Sequence, residues 1–342
     1  MRQWLLAVLS VLLLCPPLMA DFVQDPAAGW KSSDGSLEKR LSEGLENPDA
    51  LHMMNEAADI YARGNHEKAR LAYRGVVSRY PTSLLAPEAE YQIGKIRLEQ
   101  HKIDKAFSAF GLIVGQYPSY PKFDSLLKEM FELAERLSDE KTSSVLGLWN
   151  FKDRDAAIQA FEKIVTAAPY SDYAPRALFV IARLYKEKKE PLSAIDAYER
   201  LIGSYPSNPL ASDAYLALAH TYQGMIAGSA YDQGATQKAI QYYQDFIAQY
   251  PNDPRGSEAK ADVMRLQELW AQGKFDLAMF YYEKRGNVTA ATNLLKEVIQ
   301  IAPTSPIAQK AQQMIEKISK TQPKKENGID KMLNSLIFWK KS

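Results

Sequence analysis

One spacing recurs along the chain and constrains its fold: an alanine is followed twelve residues later by a proline, six times in all. The pairs are Ala69 and Pro81, Ala106 and Pro118, Ala157 and Pro169, Ala194 and Pro206, Ala239 and Pro251, and Ala291 and Pro303. Four residues after each alanine stands a large apolar residue: Tyr73, Phe110, Phe161, Tyr198, Tyr243 or Leu295. Apolar residues four apart lie on one face of a helix, so the spacing predicts six helices that each end before a proline.

A second helix follows each proline in this prediction. Eight residues after the proline comes a small residue in five cases of six, in the order Ala89, Leu126, Ala177, Ala214, Ala259 and Ala311. Proline fixes φ and lacks an N–H, so it ends the first helix, and residues such as Ser83 and Asp253 just after it favour a helix N-terminus. The small residues predict that neighbouring helices approach closely.

This pattern resembles the tetratricopeptide repeat, a helix-turn-helix unit of about 34 residues. The resemblance covers residues 51–318, or about six repeats. It implies an all-α fold, a tetratricopeptide-repeat solenoid of stacked antiparallel helix pairs. An ordinary helical bundle is the alternative, but a bundle has no reason to repeat a proline in register.

Additions to the basic repeat follow from the unequal spacing of the prolines. Successive intervals are 37, 51, 37, 45 and 52 residues. The additions at residues 138–155 and 224–236 contain polar or Gly/Ala/Ser-rich stretches and are predicted to be loops. The addition at residues 262–277 keeps apolar residues at helical spacing and is predicted to extend a helix.

Residues 1–20 have the composition of a signal peptide. Arg2 supplies a positive charge, and the apolar run Trp4–Leu14 is too short to span a bilayer comfortably. Ala20 suits cleavage by leader peptidase, which predicts a mature chain that begins at Asp21.

Cys15 is the only cysteine, and its position suggests a second interpretation of the N-terminus. Lipidation of Cys15 is the alternative to cleavage after Ala20, although Leu14 is bulkier than the residue that usually precedes a lipidated cysteine. Cleavage after Ala20 would leave a mature chain without a disulfide or a thiol nucleophile.

The segments that flank the repeats differ from them in composition. Residues 21–50 contain Pro, Gly and Ser and are predicted to form an irregular lead-in. Residues 319–342 are predicted to form a Lys-rich linker and an amphipathic C-terminal helix. That helix either docks on the end of the solenoid or binds a partner or the membrane interface.

Charge and motifs exclude several classes of protein. The 42 Lys and Arg residues balance 41 Asp and Glu residues, so no strong field attracts nucleic acid. The four histidines lie in different repeats without metal-ligand spacing, and the sequence has neither a readable Ser/His/Asp order nor a phosphate-binding glycine loop. The sequence therefore predicts no enzyme, no metal and no cofactor.

Three stretches carry a more specific resemblance. They are FDLAMFYYEKRGNVTAATNLLKEVI at residues 275–299, YYQDFIAQYPNDP at residues 242–254, and Trp-x-Phe-x-Asp-Arg-Asp at residues 149–155. They resemble the BamD family, a tetratricopeptide subunit of the complex that assembles β-barrel proteins into the outer membrane. In that family a Tyr-Tyr-x-x-Arg-Gly turn follows an extended penultimate unit.

The resemblance implies a non-enzymatic scaffold on the periplasmic side of the outer membrane. Its partners would be the soluble POTRA repeats of the barrel-forming subunit and unfolded outer-membrane protein clients. Tyr281, Lys284 and Arg285 match the family's turn and are the candidate partner-binding residues; a solvated turn is the competing interpretation.

A different function remains open for the same repeats. A periplasmic tetratricopeptide scaffold that coordinates cell division or peptidoglycan synthesis is the alternative. Such proteins usually carry an N-terminal coiled coil, and residues 21–50 show no heptads.

Overall fold

A computed structural model describes residues 21–25, 29–138, 154–226 and 233–321. The predicted signal peptide, with Cys15 and Ala20, lies outside these residues, and so does residue 322 onward of the predicted C-terminal segment. The chain divides into two compact units, Met1–Glu187 and Lys188–Ser342.

The first unit consists of a strand pair followed by stacked helices. Its elements are β1 (Phe22–Asp25), β2 (Gly29–Ser32), α1 (Ser36–Ser42), α2 (Pro48–Ala62), α3 (His66–Arg79), α4 (Leu85–Glu99), α5 (Ile103–Gln116), α6 (Phe123–Ser138), α7 (Arg154–Ala167) and α8 (Tyr173–Glu187). Helices α2 and α3, α4 and α5, and α6 and α7 pack as successive antiparallel pairs. Each pair contacts the next helix along the chain, so the pairs form one stack.

The second unit contains helices joined by turns, and no strand, within its described residues, 188–226 and 233–321. Its elements are α9 (Pro191–Ser204), α10 (Leu210–Ile226), α11 (Gln233–Gln249), α12 (Gly256–Glu283), α13 (Val288–Ile301) and α14 (Pro306–Thr321). Each helix packs against the next. The prediction of an all-α tetratricopeptide-repeat fold of stacked antiparallel helix pairs is confirmed.

The repeated alanines lie at the helix contacts, as the spacing predicts. All six alanines of the Ala-to-Pro pairs are 0% exposed. The large apolar residues four positions later, from Tyr73 to Leu295, are also buried, and so are the residues eight positions after each proline. A methyl side chain at these positions lets neighbouring helices pack closely.

Each of the six prolines occupies the same kind of turn. The residue two positions after the proline donates its backbone N–H to the carbonyl of the residue before the proline, as Ser83 does to Tyr80 at 3.0 Å and Asp253 to Tyr250 at 3.0 Å. Proline is favoured at the second position of such a turn because its φ is already suitable. Side-chain caps follow: the Ser83 hydroxyl accepts from the Leu85 N–H at 3.0 Å.

The three additions to the repeat have different outcomes. Helix α12 has 28 residues, which confirms the predicted helix extension. The loop predicted at residues 224–236 is wrong at both ends, because α10 continues to Ile226 and α11 begins at Gln233. The loop predicted at residues 138–155 falls between α6 and α7, and residues 139–153 lie outside the described residues.

Residues 21–25 and 29–50 differ from the irregular lead-in that the sequence predicts for residues 21–50; residues 26–28 lie outside the described residues. Strands β1 and β2 pair in antiparallel register, with Phe22 opposite Ser32 and Asp25 opposite Gly29. The structure is ordered here because Phe22, Trp30 and the following helix α1 bury apolar side chains against the first repeats. None of the helices within the described parts of the chain is long and apolar enough to cross a membrane.

Candidate partner-binding site

The site is carried by α12, which belongs to two hydrophobic clusters. Ala259, Val263 and Leu266, in its first part, pack in a cluster with side chains of α10 and α11. Ala271 and Ala278, further along, pack with side chains of α13 and α14. The two clusters fix the helix along most of its length and so position its C-terminal end.

An arginine network fixes the start of the same helix. The Arg255 guanidinium donates to Asp253 through Nε at 2.9 Å and Nη2 at 2.7 Å, and Nη1 lies 2.5 Å from Asp213 Oδ1 on α10. The guanidinium carbon also lies 5.6 Å from the ring centroid of Phe246. The hydrogen bonds from Arg255 lower the pKa of Asp253 to about 2. Asp253 and Phe246 lie in the second stretch that resembles the BamD family.

A tight turn connects α12 to α13. The Lys284 N–H donates to the Phe280 carbonyl at 3.0 Å, and the Asn287 N–H donates to the Tyr281 carbonyl at 3.0 Å. Gly286 has φ +61°, a conformation that glycine adopts without steric cost. The Asn287 side chain then caps α13 by accepting from the Ala290 N–H at 3.0 Å. The Arg-Gly-Asn sequence therefore ends one helix and starts the next.

The three predicted site residues lie together at this turn. Tyr281 is half-buried on the last turn of α12, whereas Lys284 and Arg285 are exposed. The Arg285 guanidinium carbon lies 5.6 Å from the ring centroid of Phe280, and the Phe280 and Tyr281 ring centroids are 5.9 Å apart at an angle of 77°. Stacking on an aromatic ring restricts the directions that the arginine can take.

Two apolar residues extend the site beyond the sequence prediction. Phe280 is 45% exposed and Leu277 is 39% exposed. With Tyr281, Lys284 and Arg285 they recur at positions i, i+3, i+4, i+7 and i+8, the spacing of one helix face and its adjoining turn. We call these five residues the α12-end surface.

The chemistry of the α12-end surface suits protein binding. Exposed aromatic and arginine side chains are enriched among the residues that carry binding energy at interfaces. Within the described residues, neither Lys284 nor Arg285 has an acidic side chain in ion-pair distance, so both cations are available to acidic groups of a partner. An arginine can bind a carboxylate through two parallel hydrogen bonds.

The tyrosine pairs and two of the four histidines contact other residues of the repeats. Tyr282 packs against the cluster that contains Leu295, and Tyr243 is buried in the cluster of α10 to α12, so one member of each tyrosine pair is a core residue as predicted. His66 Nδ1 lies 3.0 Å from Glu99 Oε2, and His220 pairs with the Tyr243 hydroxyl. The described residues contain no group of three or more His, Cys, Asp or Glu that could hold a metal ion.

Comparison with family models supports the repeat assignment. A tetratricopeptide repeat family model matches residues 56–83, which span most of α2 and α3. Among solved structures, the C-terminal part of a tetratricopeptide protein from Cytophaga hutchinsonii is similar at 16% identity and a TM-score of 0.31, covering 80% of this chain and 91% of that one.

Several relatives share a name that is more specific than the tetratricopeptide repeat. The outer membrane protein assembly factor BamD of Caulobacter vibrioides is 26% identical over 154 residues, covering 45% of this chain and 48% of the relative. The protein of the same name from Neisseria meningitidis serogroup A is 25% identical over 187 residues, covering 49% of this chain and 70% of the relative. The chain thus spans about half the length of the Caulobacter relative.

One family model matches more than half of the chain and shows the family to which the chain belongs. The YfiO model, described as "Outer membrane lipoprotein", matches residues 147–332. The match includes the extended helix α12 and the turn with Tyr281, Lys284 and Arg285. The predicted resemblance is confirmed, and the chain belongs to the YfiO family of outer membrane lipoproteins.

Proposed function

We propose that this chain is a non-enzymatic scaffold of the complex that assembles β-barrel proteins into the outer membrane. It works on the periplasmic side of that membrane, binds the POTRA-bearing barrel subunit and helps to receive unfolded outer-membrane protein clients. The observation that carries the proposal is the α12-end surface, where two exposed cations and an exposed aromatic side chain lie on a rigid helix end within the family match.

The chemistry required of such a scaffold is binding alone. Grooves and surfaces that are already formed bias the assembly of their partners without an energy source, so no cofactor enters the proposal. The cations Lys284 and Arg285 fit an acidic patch on the POTRA repeats, and Phe280 and Leu277 fit an apolar contact beside it. Clustering of these residues on one helix end gives the contact a single orientation.

The test is the substitution Arg285→Glu, measured as affinity for the purified POTRA region. The change replaces attraction to a carboxylate by repulsion, and we expect a loss of about 2–5 kcal/mol if the pair is buried and less at the rim of the interface. Lys310→Glu is the matched control, because Lys310 is exposed on α14 and the substitution changes the net charge equally.

Several outcomes distinguish the alternatives. Circular dichroism must show unchanged helicity for both variants, and binding is measured at low salt, where charge interactions are least screened. Wild-type affinity of the Arg285→Glu variant would remove Arg285 from the interface. A pull-down from solubilised envelope that recovers division or peptidoglycan-synthesis proteins, and no POTRA-bearing barrel protein, would favour the alternative scaffold instead.

A further inference from the structure

Helices α10 and α11 carry four tyrosines at the edge of their hydrophobic core. Tyr215 and Tyr222 of α10 and Tyr242 and Tyr250 of α11 pack against the buried cluster of α10 to α12, but each side chain is only half-buried. The Tyr242 ring lies in the middle. Its centroid is 5.7 Å from that of Tyr222, with the ring planes 13° apart, and 6.4 Å from that of Tyr215. Part of this aromatic surface therefore stays open to solvent.

Tyr242 departs from the repeat at a position that is usually small. It stands three residues after Ala239, the alanine of its Ala-to-Pro pair. At the other five pairs the equivalent residue is four times alanine and once leucine: Ala72, Ala109, Ala160, Ala197 and Leu294. Alanine is large enough to pack the helices at this position, since Ala109, Ala160 and Ala197 are at most 5% exposed. The repeat fold therefore does not require a tyrosine here.

Tyr242 reaches an exposed carboxylate on α9, the second helix of the preceding repeat. Its hydroxyl donates to Glu199 Oε1 at 2.5 Å. Among the described residues, no cation lies within ion-pair distance of Glu199, and the neighbouring Arg200 lies 3.9 Å from Asp196 instead. The pKa values of Tyr222 and Tyr242 are raised first by burial and then by Glu199, so this carboxylate lies close to both stacked rings.

A carboxylate beside half-open aromatic rings suits the binding of a cationic side chain. An arginine fits both groups, because its planar guanidinium stacks on aromatic rings and donates two parallel hydrogen bonds to a carboxylate. The negative charge of Asp245 on α11 also acts on Tyr242 and adds to the attraction. The chain itself uses this combination at Arg255, which pairs with Asp253 and lies over the Phe246 ring. The stacked tyrosines and their carboxylate offer the same two groups to a cation from another molecule.

We propose that Glu199, Tyr222 and Tyr242 form a second partner-binding site, which takes an arginine side chain from a basic segment of another protein. We call these three residues the tyrosine site. Its charge preference is opposite to that of the α12-end surface, where Lys284 and Arg285 are available to acidic groups. The two sites therefore select partners of different chemistry, and the inference does not depend on the proposed binding of POTRA repeats.

The test measures the binding of fluorescent peptides to the purified full chain. In one peptide arginine and glycine alternate, and two further peptides carry lysine or glutamine in place of arginine. We expect the arginine peptide to bind at least about tenfold more tightly than the glutamine peptide. It should also bind more tightly than the lysine peptide, because the lysine ammonium has no planar group to stack on the rings.

Substitutions in the chain locate the binding. Glu199→Gln removes the charge of the carboxylate and should weaken binding of the arginine peptide at least about tenfold. Glu316→Gln is the matched control, because Glu316 is exposed on α14 and the substitution changes the net charge equally, so the affinity should not change. Tyr242→Ala introduces the residue that four other repeats carry at this position. This variant should therefore keep its fold and also bind at least about tenfold more weakly.

The inference is overturned if either the Glu199→Gln or the Tyr242→Ala variant, with normal helicity, binds the arginine peptide as tightly as the Glu316→Gln control does. Equal affinity of the lysine peptide for the unsubstituted chain would also overturn it, because the rings would then contribute nothing specific to arginine. The Arg285→Glu experiment uses a different surface and a different ligand, so failure of one proposal leaves the other measurable.

Discussion

Glu90 is a buried carboxylate whose charge the fold does not fully compensate. It is 1% exposed on α4, and neither side-chain oxygen has a hydrogen-bond partner among the described residues. Arg74 Nη2 lies 3.7 Å from Oε1, close enough for attraction but too far for a hydrogen bond. Burial raises the pKa of Glu90, and Arg74 opposes that shift. The neighbouring Tyr117 has a pKa raised by burial first and by the Glu90 charge second.

The substitution Glu90→Gln should stabilise the protein at pH 7 by about 1–2 kcal/mol. Because the pKa of Glu90 is raised, the folded protein binds the proton of this carboxyl group more tightly than the unfolded chain does. The stability that this provides is complete below the unfolded pKa of about 4.3 and is lost as pH rises through the higher folded pKa. Glutamine does not titrate, so the advantage of the variant should grow over this pH range.

Urea unfolding at several pH values from 4 to 8 measures this difference. The exposed Glu56 on α2 provides the control, and Glu56→Gln should change stability by less than about 0.5 kcal/mol at every pH. If the free energy of unfolding changes with pH in the same way for the wild type and the Glu90→Gln variant, burial of the Glu90 charge does not destabilise the folded protein.

Individual residues were predictable where a repeated spacing fixed their environment. The six repeat alanines and the large apolar residues four positions after them are buried as predicted, because six copies define the helix face. Phe280 and Leu277 were not predicted, since the stretch from Phe275 to Tyr282 is so rich in apolar residues that its exposed face cannot be recognised from periodicity. Their exposure depends on which neighbouring helices reach this end of α12.

At the scale of helices, the contact between α4 and α5 depends on Gly94. A Cβ atom at this position would lie 2.2 Å from Cε1 of Phe110, which is fully buried. We therefore expect Gly94→Ala to destabilise the protein by about 1–3 kcal/mol, because the aromatic ring or the helix must shift. The free energy of unfolding in urea measures the effect.

Gly111, on the same α5 helix, gives the opposite expectation. Nothing lies within 4 Å of a Cβ atom added there, so Gly111→Ala should stabilise the helix by about 0.5–1 kcal/mol. Equal effects of the two substitutions would mean that the α4 and α5 contact can relax and that Gly94 is not required by close packing.

Element boundaries were predictable for the long helices and not for the short strands. The apolar spacing through residues 262–277 continues that of a helix, and α12 follows it. β1 and β2 are too short for their alternation to be recognised, and Gly29 and the nearby proline favour a loop prediction. At residues 224–236 the Gly/Ala/Ser-rich composition suggested a loop, but packing of α10 and α11 overrides that weak propensity at both ends.

For the whole molecule, the sequence predicts a mature protein that begins at Asp21. Ala20 fits leader peptidase better than Leu14 fits lipoprotein processing, so we expect the measured mass of the envelope protein's N-terminal peptide to be that of an unmodified peptide that begins at Asp21. Cys15→Ser should leave this mass and the membrane fractionation unchanged. A diacyl or triacyl mass on Cys15 would contradict the prediction and give the chain the lipid anchor named in the family's description.

Helix α12 has a mechanical consequence for the unit that contains it. At 1.5 Å per residue its 28 residues form a rod about 42 Å long. In an ordinary repeat array, neighbouring repeats can open separately because only side-chain contacts join them. Here an opening between the two clusters must also break a continuous helix, whose re-nucleation is unfavourable. A force applied at the α12-end surface is therefore transmitted along the backbone hydrogen bonds of α12. It reaches the cluster that α12 forms with α10 and α11, so the last repeats move together as one rigid body.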